Sequence, residues 1–189
     1  LANIVELQDE KNSVEEIAKN FINEEKGINT IEDAINGAVD IIAEKISDNP
    51  KYRKKIKSIC YNEAFINTKA VKPEEKSSYD MYYDFSERIN KIPSHRILAI
   101  NRGEKEEFLK VKIEKPEEKI LNYIQTDIIK NEKSEYSELL KRCIQDSFTR
   151  LIEPSIDREI RADLTDSAEE QAIKVFGKNA KQLLMVSPI

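Results

Sequence analysis

Apolar positions recur along this chain at three- and four-residue spacing far more often than in strict alternation, the signature of helices that bury one face. Ser13 followed by Glu16 forms a capping box ahead of Val14, Ile17, Ala18, Phe21 and Ile22, a stripe that runs out at Gly27. Thr30 with Asp33 opens a second helix, whose Ile31, Ala34, Ile35, Ala38, Ile42 and Ile46 reach Ser47. Asn49 caps a third, with Pro50 at the first helical position, where its missing N–H costs nothing. Short links between the three predict that they pack as neighbours.

The period changes after Glu63. Residues 64–71, AFINTKAV, alternate and carry β-formers, so they predict a strand. Residues 72–93 are irregular yet hold Tyr79, Tyr82, Tyr83 and Phe85, rings that need something to pack against, which predicts an ordered arm. Ser94 caps a short helix with Ile97, Leu98 and Ile100 inward and Gly103 at its end. Residues 108–115, FLKVKIEK, alternate again and pair with the first strand, since a lone strand leaves its backbone polar groups unmatched.

Helical spacing then returns. Pro116 opens a helix carrying Ile120, Leu121, Ile124 and Ile128, and Ser134 opens a longer one that Pro154 must end or kink. Ile156, Ile160 and Leu164 continue beyond it. Asp166 with Glu169 caps a last helix, 166–186, bearing Ala172, Val175, Phe176, Leu183 and Leu184. The fold class is therefore mainly α: a multihelical domain with a small two-stranded β element and a long C-terminal helix. Within a single region, 1–63 form a first helical part, 64–115 the strands with the aromatic arm, and 116–189 the remaining helices.

Composition agrees with this picture: 35% of residues are charged, and four Gly with six Pro leave few breakers among 189 residues. The 36 acids and 31 bases give a net charge of −5 without a tail of either sign, which disfavours nucleic-acid binding by the bulk surface. Cys60 and Cys143 fall on apolar stripes, and the single histidine cannot complete a zinc site with them; they read as buried free thiols. No apolar run is long enough to span a membrane, so the expectation is a cytoplasmic protein that makes no membrane contact. Both ends, LANIVELQDEKN and VSPI, read as cut from something longer.

Little here promises chemistry. His95 is the only histidine, set beside Arg96 at the first turn of a predicted helix, and it fits a structural or partner-contact role better than catalysis. Paired acids such as Glu106 with Glu107 lie in solvated contexts, and four scattered glycines cannot build a phosphate loop. The expectation is no enzyme, no metal and no cofactor. One basic run stands out, Lys51, Arg53, Lys54, Lys55 and Lys57 beside Tyr52; it is either a phosphate-contacting helix or a solvated face, and the solvated face is the plainer reading. Arg142, Arg150, Arg158 and Arg161 are interleaved with acids, as ion pairs between packed helices would be.

Two stretches, YYDFSERINKIPSHRILAINRGEKEEFLKVKIE and LIEPSIDREIRADLTDSAEEQAIKVFGKNAKQLLMVSP, together resemble the Tex family of bacterial transcription accessory proteins. AVDIIAEKISDNPKYRKKIK and NTKAV extend the resemblance upstream. It implies a helical region with a long central helix, followed in the family by RNase H-like, helix-hairpin-helix and S1 domains that this chain lacks. It implies a non-catalytic scaffold for a transcription accessory or RNA-binding protein, whose RNA or DNA is held through those other domains, with transcription machinery as a further partner. The alternatives are direct nucleic-acid binding by the 51–57 helix, or a protein-interaction module for polymerase- or ribosome-associated partners. Candidate interdomain or partner contacts are Tyr82, Tyr83, His95, Arg96 and Phe176. The helix over 166–186 would be the spine, leaving part of its apolar face exposed.

Overall fold

The computed structural model describes residues 1–8, 13–23, 25 and 27–185. The elements are α1 (Ala2–Leu7), α2 (Val14–Lys19), α3 (Ile31–Asp48), α4 (Pro50–Glu63), β1 (Phe65–Ala70), β2 (Asp84–Arg88), α5 (Ser94–Lys105), β3 (Leu109–Glu114), α6 (Glu117–Ile128), α7 (Glu135–Asp146) and α8 (Glu153–Leu184). A π-helical turn, Ser147–Ile152, joins α7 to α8, and a 3₁₀ turn, Asp80–Tyr82, precedes β2. Contacts group these into two compact units, residues 1–57 with 117–156, and residues 58–116 with 157–189.

The first unit is helical throughout. The Thr30 hydroxyl accepts from Asp33 N–H at 3.0 Å while the Asp33 carboxylate accepts from Thr30 N–H at 2.9 Å, the reciprocal box that the sequence predicts for α3. The Asn49 side chain accepts from Lys51 N–H at 3.0 Å at the head of α4. Helix α3 packs its Ala38, Ile42, Ala43 and Ile46 on α7 and the π turn, where Leu140, Cys143, Ile144, Phe148 and Ile152 are buried. The Ser147 hydroxyl, also buried, donates to Ala43 O at 2.7 Å, so this core leaves that polar group satisfied. Arg150 reaches Asp40 at 2.8 Å and Asp146 at 2.7 Å, and Arg142 reaches Asn36 at 2.7 Å. Arg150 thus ties the π turn to α3 by an ion pair, and Arg142 ties α7 to α3 by a hydrogen bond to an uncharged amide.

The second unit is built on an antiparallel sheet of order β2-β1-β3. Here the expectation of two strands is corrected. β1 and β3 pair as predicted, with Ile66 opposite Ile113 and Thr68 opposite Val111, but residues 84–88 of the aromatic arm add a third strand on the other edge of β1, with Phe85 opposite Thr68. The sequence hid β2 because only Phe85 of its DFSER is apolar, so it shows too little alternation to register as a strand. Buried Ile66, Leu109 and Ile113 share this core with Ile97 and Ile100 of α5.

Four boundaries differ from those the sequence suggests. Helix α2 ends at Lys19, leaving Phe21 and Ile22 40% exposed, because the chain turns into a bridged reversal in which Asn23 and Ile28 exchange backbone hydrogen bonds around Gly27 at φ 74°. Pro93, not Ser94, is the residue that caps α5, its carbonyl accepting from Arg96 and Ile97 N–H. Gly103 lies inside α5 rather than after it; the left-handed position belongs to Glu107, at φ 61°. Pro154 and Asp166 both fall inside one helix of 32 residues, so Asp166 caps nothing. Glu153 N–H bonds back five residues to Phe148 O, and Pro154 follows in that wider turn, where a missing donor and a bulky ring are tolerated.

Candidate functional site

Helix α4 turns Tyr52, Ile56, Ile59 and Cys60 inward, which fans the basic run over the opposite side. Lys51, Lys54 and Lys55 are exposed, Arg53 and Lys57 half-buried. Within the first unit most of these bases have neighbours. Lys51 Nζ lies 2.7 and 2.9 Å from the two Asp127 carboxylate oxygens, and the Tyr52 hydroxyl donates to the same carboxylate at 2.8 Å. These hydrogen bonds, from Lys51 first and Tyr52 second, hold Asp127 below the usual carboxylate range and raise Lys51. Burial, followed by the bond to Asp127, pushes the Tyr52 phenol well up. Tyr52 and Tyr123 meet edge to face at 6.3 Å, Lys55 Nζ lies 5.8 Å from the Tyr123 ring centre, and Arg53 donates to Ser155 Oγ at 2.8 Å. The counter-charge is Asp127, 76 positions from Lys51 in the chain, which proximity in sequence could not reveal.

The aromatic arm of the second unit is ordered by its own rings. Tyr82 is buried and meets Phe85 edge to face at 5.3 Å, while its carbonyl accepts from Thr68 Oγ1 at 2.5 Å. The Tyr83 hydroxyl donates to the Glu75 carbonyl and lies 2.9 Å from Ser77 Oγ. Arg96 pairs with Glu87 at 2.8 Å, with its guanidinium 5.7 Å from the Phe85 ring centre. Tyr82, Tyr83 and Arg96 thus brace β2 and the start of α5.

His95 and Phe176, by contrast, face a common open groove of about 720 Å³ in the second unit. Ile92, Pro93, Ser94, His95 and Leu98 form one wall at the start of α5; Gln171, Ala172, Val175, Phe176 and Asn179 of α8 form the other. Phe176 is 75% exposed and Val175 52%, and the same helix exposes Ile173, Leu183 and Leu184, with Met185 exposed just past its end. The sequence picks out the α8 side of this groove as a stripe, but Leu98 reads there as core and nothing singles out Pro93. The wall forms because α5 meets α8, where Asn101 donates to Thr165 Oγ1 at 2.9 Å and Arg161 to Glu104 at 3.1 Å, long-range contacts that local periodicity does not encode.

The thiols offer no reactive group. Cys60 and Cys143 are buried and free, and burial pushes their thiols up to about 11 and about 12. Among the described residues no cluster of His, Cys, Asp or Glu is placed to hold a metal ion, and no helix is long and apolar enough to cross a membrane. What the groove can do is bind: it offers apolar area, two amides and an imidazole, without an acid and base set against each other.

Comparison with known proteins places this geometry. The family model described as Tex central region-like matches residues 9–176. The uncharacterized protein YdcI of Bacillus subtilis is 46% identical over 175 residues, 91% of this chain and 24% of that protein. S1 RNA-binding domain-containing protein 1 of Homo sapiens is 32% identical over 87% of this chain and 18% of its own length. The transcriptional accessory protein Tex of Neisseria gonorrhoeae is 28% identical over 96% of this chain and 25% of its own length. The chain thus spans a quarter or less of the length of these relatives.

Proposed function

The chain belongs to the Tex family, as a Tex central region-like segment, and on that premise we propose that it is a non-catalytic scaffold on which a longer parent protein mounts its nucleic-acid-binding parts. The observation that carries this reading is the uncovered apolar face of α8, where Ile173, Phe176, Leu183 and Leu184 are each at least 70% exposed. An apolar surface of that kind on a folded domain marks an interaction site. The names of two relatives, one an S1 RNA-binding domain protein and one a transcriptional accessory protein, supply the context of RNA and transcription. The basic helix α4 is the weaker candidate for direct contact, since Lys51, Arg53 and Lys55 are engaged with Asp127, Ser155 and Tyr123.

The test is RNA affinity of the full-length parent carrying Val175→Ser with Phe176→Ser, set beside Lys54→Glu with Lys55→Glu. Loss of two anchors of the interface lowers affinity for a single-stranded RNA about ten-fold or more. The charge reversal costs less. Wild-type affinity in the first variant overturns the scaffold; a larger loss in the second returns the α4 helix to first place.

A further inference from the structure

We infer that the outer face of the β2-β1-β3 sheet is a contact surface for a single-stranded nucleic acid, with Lys69, Lys110 and Lys112 on its phosphates and Phe65 with Arg88 beneath one of its bases. The pairing sets residues 65, 67 and 69 of β1 between 84, 86 and 88 of β2 on one side and 110, 112 and 114 of β3 on the other. The outer residues of β2 and β3 and Lys69 are all exposed, so no layer of the second unit covers this face. A sheet face that only meets water sets opposite charges or hydrogen-bonding partners across its strands, because such pairs stabilise and like charges directly opposite destabilise. Most of this face follows that rule. Lys69 stands opposite Asp84, the Ser86 hydroxyl donates to Asn67 Oδ1 at 2.6 Å, and Asn67 Nδ2 donates to Glu114 at 2.6 Å. One corner departs from it. Lys110 stands directly opposite Lys69, Lys112 is the next outward residue of β3, and among the described residues no carboxylate lies within ion-pair distance of any of the three. In a chain of net charge −5 this local excess of cations is not imposed by composition.

The geometry suits a chain of phosphates better than a single anion. Lysines directly across a strand pair stand about 5 Å apart at the backbone, and lysines two positions apart on one strand about 7 Å, so three ammonium groups spread over successive phosphates of an extended strand. At the far corner of the face Phe65 is half-buried, with the Arg88 guanidinium 5.4 Å from its ring centre. Ring and guanidinium together offer the flat, sequence-tolerant platform on which an unpaired base stacks. An acidic protein segment would neutralise the lysines and leave that platform unused. A duplex keeps its bases paired and away from it. This contact belongs to the chain itself and does not depend on the α8 face.

The test uses the 189-residue chain and a fluorescein-labelled oligouridine of about 12 nucleotides, titrated by anisotropy over a series of salt concentrations. The single strand binds at low salt, and the same strand annealed to its complement binds about ten-fold more weakly. Lys69→Gln with Lys110→Gln and Lys112→Gln weakens binding about ten-fold or more and lowers the slope of log affinity against log salt by about 2, as loss of three phosphate contacts to a single strand requires. Phe65→Leu weakens it about five-fold and leaves the slope unchanged. Lys110→Thr alone lowers the slope by about 0.7, which keeps the test decisive if the triple variant does not fold. Val175→Ser with Phe176→Ser leaves binding by this chain unchanged, which separates the inference from the scaffold reading. Absence of binding, equal binding of strand and duplex, or an unchanged slope in the lysine variants overturns the inference. So does an equal loss in Lys54→Glu with Lys55→Glu, which moves the contact to α4. Binding of a polyglutamate peptide as tight as that of the strand, and indifferent to Phe65→Leu, gives the corner to an acidic protein and overturns it too.

Discussion

A β-carbon on Gly103 would stand 2.7 Å from Leu109 Cδ1 and 3.1 Å from the Tyr79 ring at Cδ1, both on buried side chains that would have to shift. Gly103→Ala therefore destabilises by about 1 to 3 kcal/mol in urea unfolding, overpacking outweighing the gain in helix propensity. Gly37 sits in α3 with nothing within 4 Å of its missing β-carbon, so Gly37→Ala stabilises by about 0.5 to 1 kcal/mol in the same assay. Both glycines sit in helical patterns in the sequence; which one is held by packing depends on a strand that arrives later in the chain. Lys115 is similar. Its side chain is 4% exposed, pairs with Asp157 at 2.5 Å and also donates to Ile113 O at 3.3 Å, so Asp157→Ala removes its carboxylate partner and lowers stability by about 1 to 3 kcal/mol in the same measurement. The two thiols set a pH limit. Their folded forms keep protons that the unfolded chain gives up from pH ~8.5, so their stabilising effect is complete below that pH and is lost as pH rises from there through about 11 for Cys60 and about 12 for Cys143. Thermal melts of Cys60→Ala and Cys143→Ala should show a shallower alkaline decline than wild type.

Among the elements, those with caps and long apolar stripes are legible from the sequence: α3 from Thr30 and Asp33, α4 from Asn49 and Pro50, and α7 from Ser134, whose hydroxyl accepts from Tyr136 N–H at 3.2 Å. Thr30→Ala removes one bond of the box and lowers stability by about 1 kcal/mol. The same box holds the Asp33 carboxyl below its usual range, through hydrogen bonds from Thr30 before all else. Its contribution is present above the unfolded carboxyl range and disappears as pH falls through the folded value. The acid limb of a stability profile therefore flattens in Asp33→Asn. Elements set by tertiary pairing were less legible. β2 is a strand because β1 offers it an open edge, and α8 runs through Pro154 because the π turn before it widens the backbone. Neither cause is local, so neither leaves a local pattern. α1, short and without a side-chain cap, leaves no cap signal at all.

At the scale of the molecule, the stripe of Val175, Phe176 and Leu183 was visible in the sequence, and so was its excess over what this chain can cover. The wall that makes it a groove was not, because Pro93 and Leu98 reach it only through the packing of α5. The account rests on one claim, that the parent protein buries this trough. Asn179→Cys places a small reactive group on the trough wall, and buried Cys60 and Cys143 serve as unreactive internal references. Maleimide labelling at neutral pH, read by mass spectrometry of the peptide containing position 179, compares the 189-residue chain with the full-length parent. The account predicts rapid labelling in the chain and labelling slower by about ten-fold or more in the parent, as burial of the thiol requires. Equal rates in the two proteins would contradict it.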